Sequence, residues 1–247
     1  MTTPDIITAA ALIIGDEILS GRTKDKNIGT IADHLTSIGI QLREVRVVPD
    51  DEAGIITAVN ALRARYSYVF STGGIGPTHD DITADCMAKA FGVTIDIDPR
   101  AVALMKPAYD KRGLELNEAR LRMARIPAGA TLIANTVSIA PGFMIGNVVV
   151  MAGVPAIMSD MLKDATQHLR TGAKMCSETI VLSHPEAEIA GLFSDHQRAF
   201  PDVVMGSYPS FNDGKYKTEL VLRSCDPARL TEAAEGLRLK LKTGRLL

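Results

Sequence analysis

The chain has 247 residues, a formal net charge of −2 from 27 basic and 29 acidic residues, and a hydrophobic fraction of 46%. That length fits one large domain or one domain with a small companion, and the composition is ample for a core. No apolar run approaches the ~18 residues a membrane span needs, and the lack of a basic block or of any Trp argues against a nucleic-acid partner.

In chain order, Ala9–Ile14 is an apolar strand ending at Gly15-Asp16-Glu17. A helix follows, with Ile28, Ile31, Ala32, Leu35 and Ile38 on one face, Asp25 fitting the N-cap and Gly39 the C′ position. Ile40–Val48 reads as a second strand, broken by Pro49, and Asp50 or Asp51 caps a helix carrying Ile55, Ile56, Val59 and Leu62. A buried strand at Tyr68–Ser71, a glycine turn and a helix closing at Gly92 complete a third strand–helix unit. This alternation predicts a parallel sheet covered by helices.

Val93, Ile95 and Ile97 alternate with polar residues, as in a half-exposed edge strand. Helical sequence from about 100 to 125 contains Pro107, which predicts two pieces or one kinked helix. Residues 138–153 read as a hairpin turning at Gly146-Asn147, followed by a helix over about 155–169. Beyond Gly172 the order is strand (178–183), helix (185–200), strands (203–208 and 217–223) and helix (227–242). Such a β-α-β-β-α order is compatible with a split β-α-β sandwich. The expected domains are therefore 1–172 and a small α+β unit over 173–247.

Residues 71–85 carry the densest chemical signal. Three glycines in four residues, Gly73, Gly74 and Gly76, let the backbone turn sharply and approach a ligand without side-chain clash. The turn delivers N–H groups at a helix N-terminus, an arrangement that suits phosphate. Asp80, Asp81 and Asp85 would repel a phosphate unless a divalent cation lay between. Thr78 and Asp81 also have capping-box spacing, which needs only one carboxylate and leaves Asp80 the better metal or acid–base candidate. Asp16 and Glu17 end the first strand, at the edge of an α/β sheet where ligands bind. Asn27 reads either as an early-helix residue or as an amide donor to phosphate. His79 reads as a solvated loop residue, and the other histidines share no metal spacing. Cys86, Cys176 and Cys225 likewise lack metal-ligand spacing and read as buried thiols in a reducing cytoplasm. Met1–Asp5 has no basic region, so no secretory signal is expected.

Taken together, Gly15-Asp16-Glu17-Ile18-Leu19-Ser20-Gly21, Asp25-Lys26-Asn27, Val48-Pro49-Asp50-Asp51 and Thr72-Gly73-Gly74-Ile75-Gly76-Pro77-Thr78-His79-Asp80-Asp81 resemble the molybdopterin-binding (MoaB/Mog) superfamily. Within it the chain is most similar to the N-terminal region of CinA proteins, over about residues 8–170, with a weaker likeness over 173–247. The resemblance implies a three-layer α/β/α fold with a mostly parallel sheet, plus the small C-terminal subdomain. It also implies a small phosphorylated pterin or nucleotide as ligand, self-association into a homo-oligomer, and no membrane partner. For activity it implies a pyrophosphatase of ADP-ribose type using a divalent metal such as Mg or Co. The alternatives are adenylyl transfer to molybdopterin, or ligand binding without catalysis.

By the same resemblance Asp80 and Asp81 are the expected catalytic residues, and with Asp16 the metal ligands. Phosphate or ligand contacts fall to Gly15, Asp16, Glu17, Asn27, Thr72, Gly73, Gly74, Gly76, Pro77, Thr78, Pro141, Gly142, Gly153 and Pro155. Three departures from the family pattern stand out. The chain as given stops before the nicotinamide-nucleotide deamidase region of CinA proteins, so that activity is not expected. Ile157 replaces an acid in Gly153-Val154-Pro155-Ala156-Ile157-Met158, and Ser138-Ile139 replace Gly-Thr in the stretch Asn135–Gly142. Those two changes leave binding better supported than turnover.

Overall fold

Residues 6–247 are described in a computed structural model; Met1–Asp5, read above for a secretory signal, lie outside the described residues. The chain divides into two units between Gly172 and Ala173. The first contains, in order, β1 (Ile7–Ile14), α1 (Asp16–Leu19), α2 (Asn27–Ser37), β2 (Ile40–Val48), α3 (Glu52–Arg65) and β3 (Tyr68–Thr72). It continues with α4 (Thr83–Phe91), β4 (Ile95–Ile97), α5 (Pro99–Lys111), α6 (Glu118–Leu121), β5 (Arg125–Pro127) and β6 (Thr131–Ile133). The last elements are β7 (Gly142–Ile145), β8 (Val148–Met151) and α7 (Pro155–Ala165).

Six strands form one sheet in the order β2-β1-β3-β8-β7-β6. The first four run parallel and β7 runs antiparallel to both its neighbours. Strands covered on both faces need continuous apolar runs rather than alternation, and the run from Ala9 to Ile14 is buried throughout. Leu12, Val69 and Val150 face a layer built by Ile55, Val59 and Leu62 of α3 with Met87 of α4. Phe70, Val149 and Met151 face Ile31 and Leu35 of α2 with Met158 and Leu162 of α7. This is the three-layer arrangement the sequence implies.

Several local expectations change. The two short strands β5 and β6 were not anticipated; β5 pairs with β4 in a separate two-stranded sheet and β6 closes the edge of the main sheet. The stretch forms two pieces, α5 and α6, but α5 continues past Pro107 and the break falls at Arg112-Gly113, where Gly113 has φ 64. Pro107 leaves the Ala103 carbonyl without its helical partner, but both residues are exposed, so water can take that bond. The Gly146-Asn147 turn forms as expected, and Asn147 Nδ2 adds bonds to the carbonyls of Arg63 (2.9 Å) and Tyr66 (3.0 Å) at the end of α3. Of the cysteines, only Cys86 is buried, which pushes its thiol up to about 11; Cys176 and Cys225 are half-buried.

The second unit contains β9 (Cys176–Leu182), α8 (Glu186–Ala199), β10 (Val204–Asn212), β11 (Lys215–Ser224) and α9 (Pro227–Thr243). The strand order β10-β11-β9 places β11 between the two strands joined through α8, the split β-α-β arrangement. Ile180, Leu220 and Leu222 pack with Ile189 of α8 and with Leu230, Leu237 and Leu241 of α9. The hairpin reaches further than expected because Asp213-Gly214 supplies the two positive φ values, 52 and 73, of a tight turn. No helix of the described residues is long and apolar enough to cross a membrane.

β1 leads to β2 on one side and β3 lies on its other side, so the sheet changes direction between β1 and β3. Ligands of open α/β sheets bind in the crevice outside such a point. There Gly73 has φ 104, and a Cβ on it would lie 2.1 Å from the Ile14 carbonyl oxygen. No side chain fits in that space. Gly73→Ala should therefore lower the thermal midpoint of the first unit, at a cost of about 1–3 kcal/mol for the strained turn. A midpoint within one degree of wild type would contradict the close approach.

Candidate functional site

The ends of β1, β2 and β3 meet at one cleft. Gly15 N–H donates to the Val48 carbonyl (3.1 Å) and Gly73 N–H to that of Met151 (3.1 Å), so the strand ends are held in register beyond the ladder. Asp51 caps α3 by accepting from Gly54 N–H (2.7 Å), while Asp50 Oδ2 accepts from Asp16 N–H (3.0 Å). The two adjacent aspartates thus separate into a helix cap and a group that faces the cleft.

The cleft has a volume of ≈ 540 Å³. Gly73, Gly74, Gly76 and Pro77 form one wall, with Gly15, Pro141, Gly153 and Pro155 on the others. Acids at its rim are Glu17, Asp50, Asp80 and Asp81, and its apolar surface includes Ile75, Met123, Val154, Ile157 and Met161. Thr83 N–H donates to the Gly74 carbonyl (2.9 Å), folding the turn back onto the start of α4. By contrast, the N–H groups of Gly74, Ile75 and Gly76 find no acceptor among the described residues. All three residues line the cleft.

The acids are in different states. Burial, then the charges of Asp16, Glu17 and Asp80, raise the Asp50 carboxyl above its ordinary value, against the pull of the Asp16 N–H. Asp81 Oδ2 accepts from the N–H (2.8 Å) and hydroxyl (2.5 Å) of Thr78. That closes the loop ahead of α4, whose N-cap position is Ile82, so Asp81 braces the turn rather than capping the helix. The Thr78 hydroxyl also lies near Asp80, holding its carboxyl below the usual value; Asp80 is exposed. Asp85 is taken up by Arg125 through two bonds of 2.7 Å. His79 is exposed in the loop.

Other expected residues lie outside the cleft lining. Asn27 is 4% exposed; its Nδ2 donates to the Gly153 carbonyl (2.8 Å) and, at 3.5 Å, to Thr72 Oγ1. Its amide ties the start of α2 to the two loops that form the cleft. Thr72, Thr78 and Gly142 are likewise outside the cleft lining, and Asp16 presents its N–H to Asp50 with its side chain exposed. A Cβ at Gly142 would meet the Val150 carbonyl oxygen at 2.4 Å, so that glycine serves the sheet. Asp80, Asp81 and Asp16 do not converge into a ready-made cage; among the described residues no three His, Cys, Asp or Glu do.

Sequence reasoning passed over three contributors. Asp50 was read only as a cap, because two adjacent aspartates before a helix carry no sign of which one caps it. Asn135 is 7% exposed and builds its loop by donating to the Ala140 carbonyl (2.6 Å) and accepting from Ser138 and Ile139 N–H (2.7 and 3.2 Å). In that loop Ile139 sits at φ 71, uncommon for a β-branched residue. Arg122 borders a small recess that shares Ile75, Gly76 and Asp81 with the cleft, and had no motif to mark it.

Residues 10–171 match the family described as probable molybdopterin binding domain, and residues 174–247 match that described as FAD synthase, middle domain. A protein of Pyrobaculum arsenaticum is 34% identical over 205 residues, covering 79% of this chain and 77% of the relative. A protein of Aeropyrum pernix shares 34% over 205 residues, covering 79% and 76%. Among solved structures, CinA from Thermoplasma acidophilum, a protein of unknown function, is 36% identical with a TM-score of 0.60, covering 66% of this chain and 98% of that one. The glycine turn at the sheet's switch point thus lies in a CinA-like chain that belongs to the probable molybdopterin binding domain family.

Proposed function

We propose that the cleft holds a phosphorylated nucleotide or pterin, and that the protein hydrolyses a nucleotide diphosphate such as ADP-ribose with a divalent cation. One observation carries the phosphate part: three successive N–H groups, Gly74 to Gly76, are unspent in residues that line the cleft ahead of α4. Unpaired backbone donors near a helix N-terminus attract anions. The apolar surface of Val154, Ile157 and Met161 suits the flat ring of a base or pterin.

The acids fit a cation that arrives with its substrate. Mg²⁺ usually takes one or two protein carboxylates and completes its shell with water and phosphate oxygens. Asp80 is exposed and ionised, and Asp50, Asp16 and Glu17 crowd negative charge beside it. The chemistry such a cation supplies is charge neutralisation and polarisation of a phosphoryl oxygen. Asp81, engaged by Thr78, then keeps the turn in shape beside it.

Adenylyl transfer to molybdopterin is the second reading, favoured by the family match; formation of an adenylylated pterin from ATP would select it. The apolar Ile157 in the cleft favours a third, ligand binding without turnover. The expected outcome is release of AMP and ribose 5-phosphate from ADP-ribose with added Co²⁺ or Mg²⁺. Asp80→Asn should lower that rate about 10²-fold or more. No turnover with any divalent metal, or unchanged turnover in Asp80→Asn, would refute the hydrolase reading.

The acid crowding predicts a pH-dependent stability change as well. A carboxyl raised in the folded state binds its proton more tightly there, so it destabilises the fold increasingly as pH rises above the ordinary value, and in full above the folded value. Asp50→Asn keeps an acceptor for Asp16 N–H and should raise the thermal midpoint at pH 7. That gain should shrink as pH falls toward the ordinary carboxylate value of 3.8. Added Mg²⁺ should stabilise the wild type by mass action and the variant less. A gain that is the same at pH 4 and pH 7 would contradict the assignment.

A further inference from the structure

We propose that Arg122 holds the second anionic group of the ligand, which makes this a site for diphosphates rather than monophosphates. The inference rests on the reading that the glycine turn takes one phosphate. The cleft presents four acids and, among its described lining residues, no Lys or Arg. Three N–H groups supply partial positive charge for one phosphate, but a diphosphate brings a second charged group that this acid rim repels. A cation beside Asp80 offsets part of that repulsion, and a guanidinium on a neighbouring wall would supply the rest.

Such a wall exists. A recess of ≈ 20 Å³ continues the cleft past the turn, bordered by Ile75, Gly76, Asp81, Asp85, Arg122 and Arg125. Ile75, Gly76 and Asp81 line both spaces. About 10–15 Å³ of such volume admits one water-sized group, so the recess has room for about one oxygen atom and excludes a ring. Its two arginines are not equivalent. Arg125 is fully engaged by Asp85 in a two-bond pair. Arg122 makes one long bond, Nη2 to the Asp81 carbonyl at 3.3 Å, and its Nε is buried with no acceptor.

A buried unpaired donor is costly to a fold, and guanidinium forks match phosphate geometry. Arg122 therefore carries an unpaired donor beside the recess, with a single long bond to hold its guanidinium in place. It begins the turn Arg122–Ala124, and the next residue, Met123, reaches the cleft, so that segment carries both the cation and part of the apolar surface. Arg125 and Asp85 cancel one another at the far side, and the Thr78 bonds occupy one oxygen of Asp81. The free guanidinium is thus the available charge one step from the glycine turn.

Calorimetric titration of wild type, R122Q and R122K with inorganic pyrophosphate, ADP-ribose and AMP tests this. R122Q should bind pyrophosphate and ADP-ribose about 10- to 100-fold more weakly, while AMP affinity changes less than about threefold. Its melting temperature should not fall, because the lost group was unsatisfied. R122K, which keeps charge without the fork, should lie between; should R122Q melt early, R122K carries the same comparison. Equal losses for AMP and ADP-ribose, or pyrophosphate affinity within twofold of wild type, would overturn the assignment. If R122Q is unaltered while wild type still splits ADP-ribose, only the Arg122 assignment fails. If pyrophosphate binding depends on Arg122 but no AMP is released, only the hydrolase reading fails. Wild type that binds none of the three ligands overturns both.

Discussion

The site depends on one steric constraint, the contact between the Gly73 backbone and the Ile14 carbonyl at the point where the sheet changes direction. A Cβ at Gly73 would lie 2.1 Å from that oxygen, so the approach exists only because the residue has no side chain. The close approach brings the chain after β3 over the end of β1. It leaves three N–H groups without an acceptor and still lets Gly74 accept from Thr83 at the start of α4. Gly153 packs within 3.4 Å of Gly73 by the same measure, so the loop after β8 rests on the same point. Asn27 then ties α2 to Gly153 from behind. Cleft and scaffold share these contacts.

Charge in the cleft is organised by hydrogen bonding more than by residue type. Five aspartates lie near one another, yet each has its own role. Asp51 caps α3, Asp81 braces the Thr78 turn and Asp85 pairs with Arg125. Asp50 and Asp80 are left toward the ligand space, one raised by burial and neighbouring acids, the other lowered by Thr78. Groups whose environments push their proton affinities apart are the ones worth suspecting of chemistry. Structural acids beside them keep the loops in place.

The layers were legible because they follow from periodicity. The unbroken apolar run of β1 announces a strand buried on both faces, and the strand–helix alternation announces parallel pairing. β5 and β6 were missed since three residues each carry no period. Pro107 misled because a helix tolerates proline when the freed carbonyl faces water. In the site, the glycine turn was legible through the backbone conformations glycine alone permits. Asn27 and Thr78 were named as ligand contacts from the motif, but the structure spends Asn27 Nδ2 and the Thr78 hydroxyl on internal bonds. Asp50 and Arg122 took their roles from contacts distant in sequence, Asp16 and Asp81, while Asn135 stood in a quoted motif whose local bonds gave no sign of its role.

The central claim is that the N–H groups of Gly74, Ile75 and Gly76 form the phosphate site. Amide resonances of ¹⁵N-labelled protein, followed during titration with inorganic pyrophosphate, test it directly. The account predicts that these three amides move furthest and saturate together. Unmoved Gly74–Gly76 amides, with saturating shifts elsewhere in the chain, would contradict it.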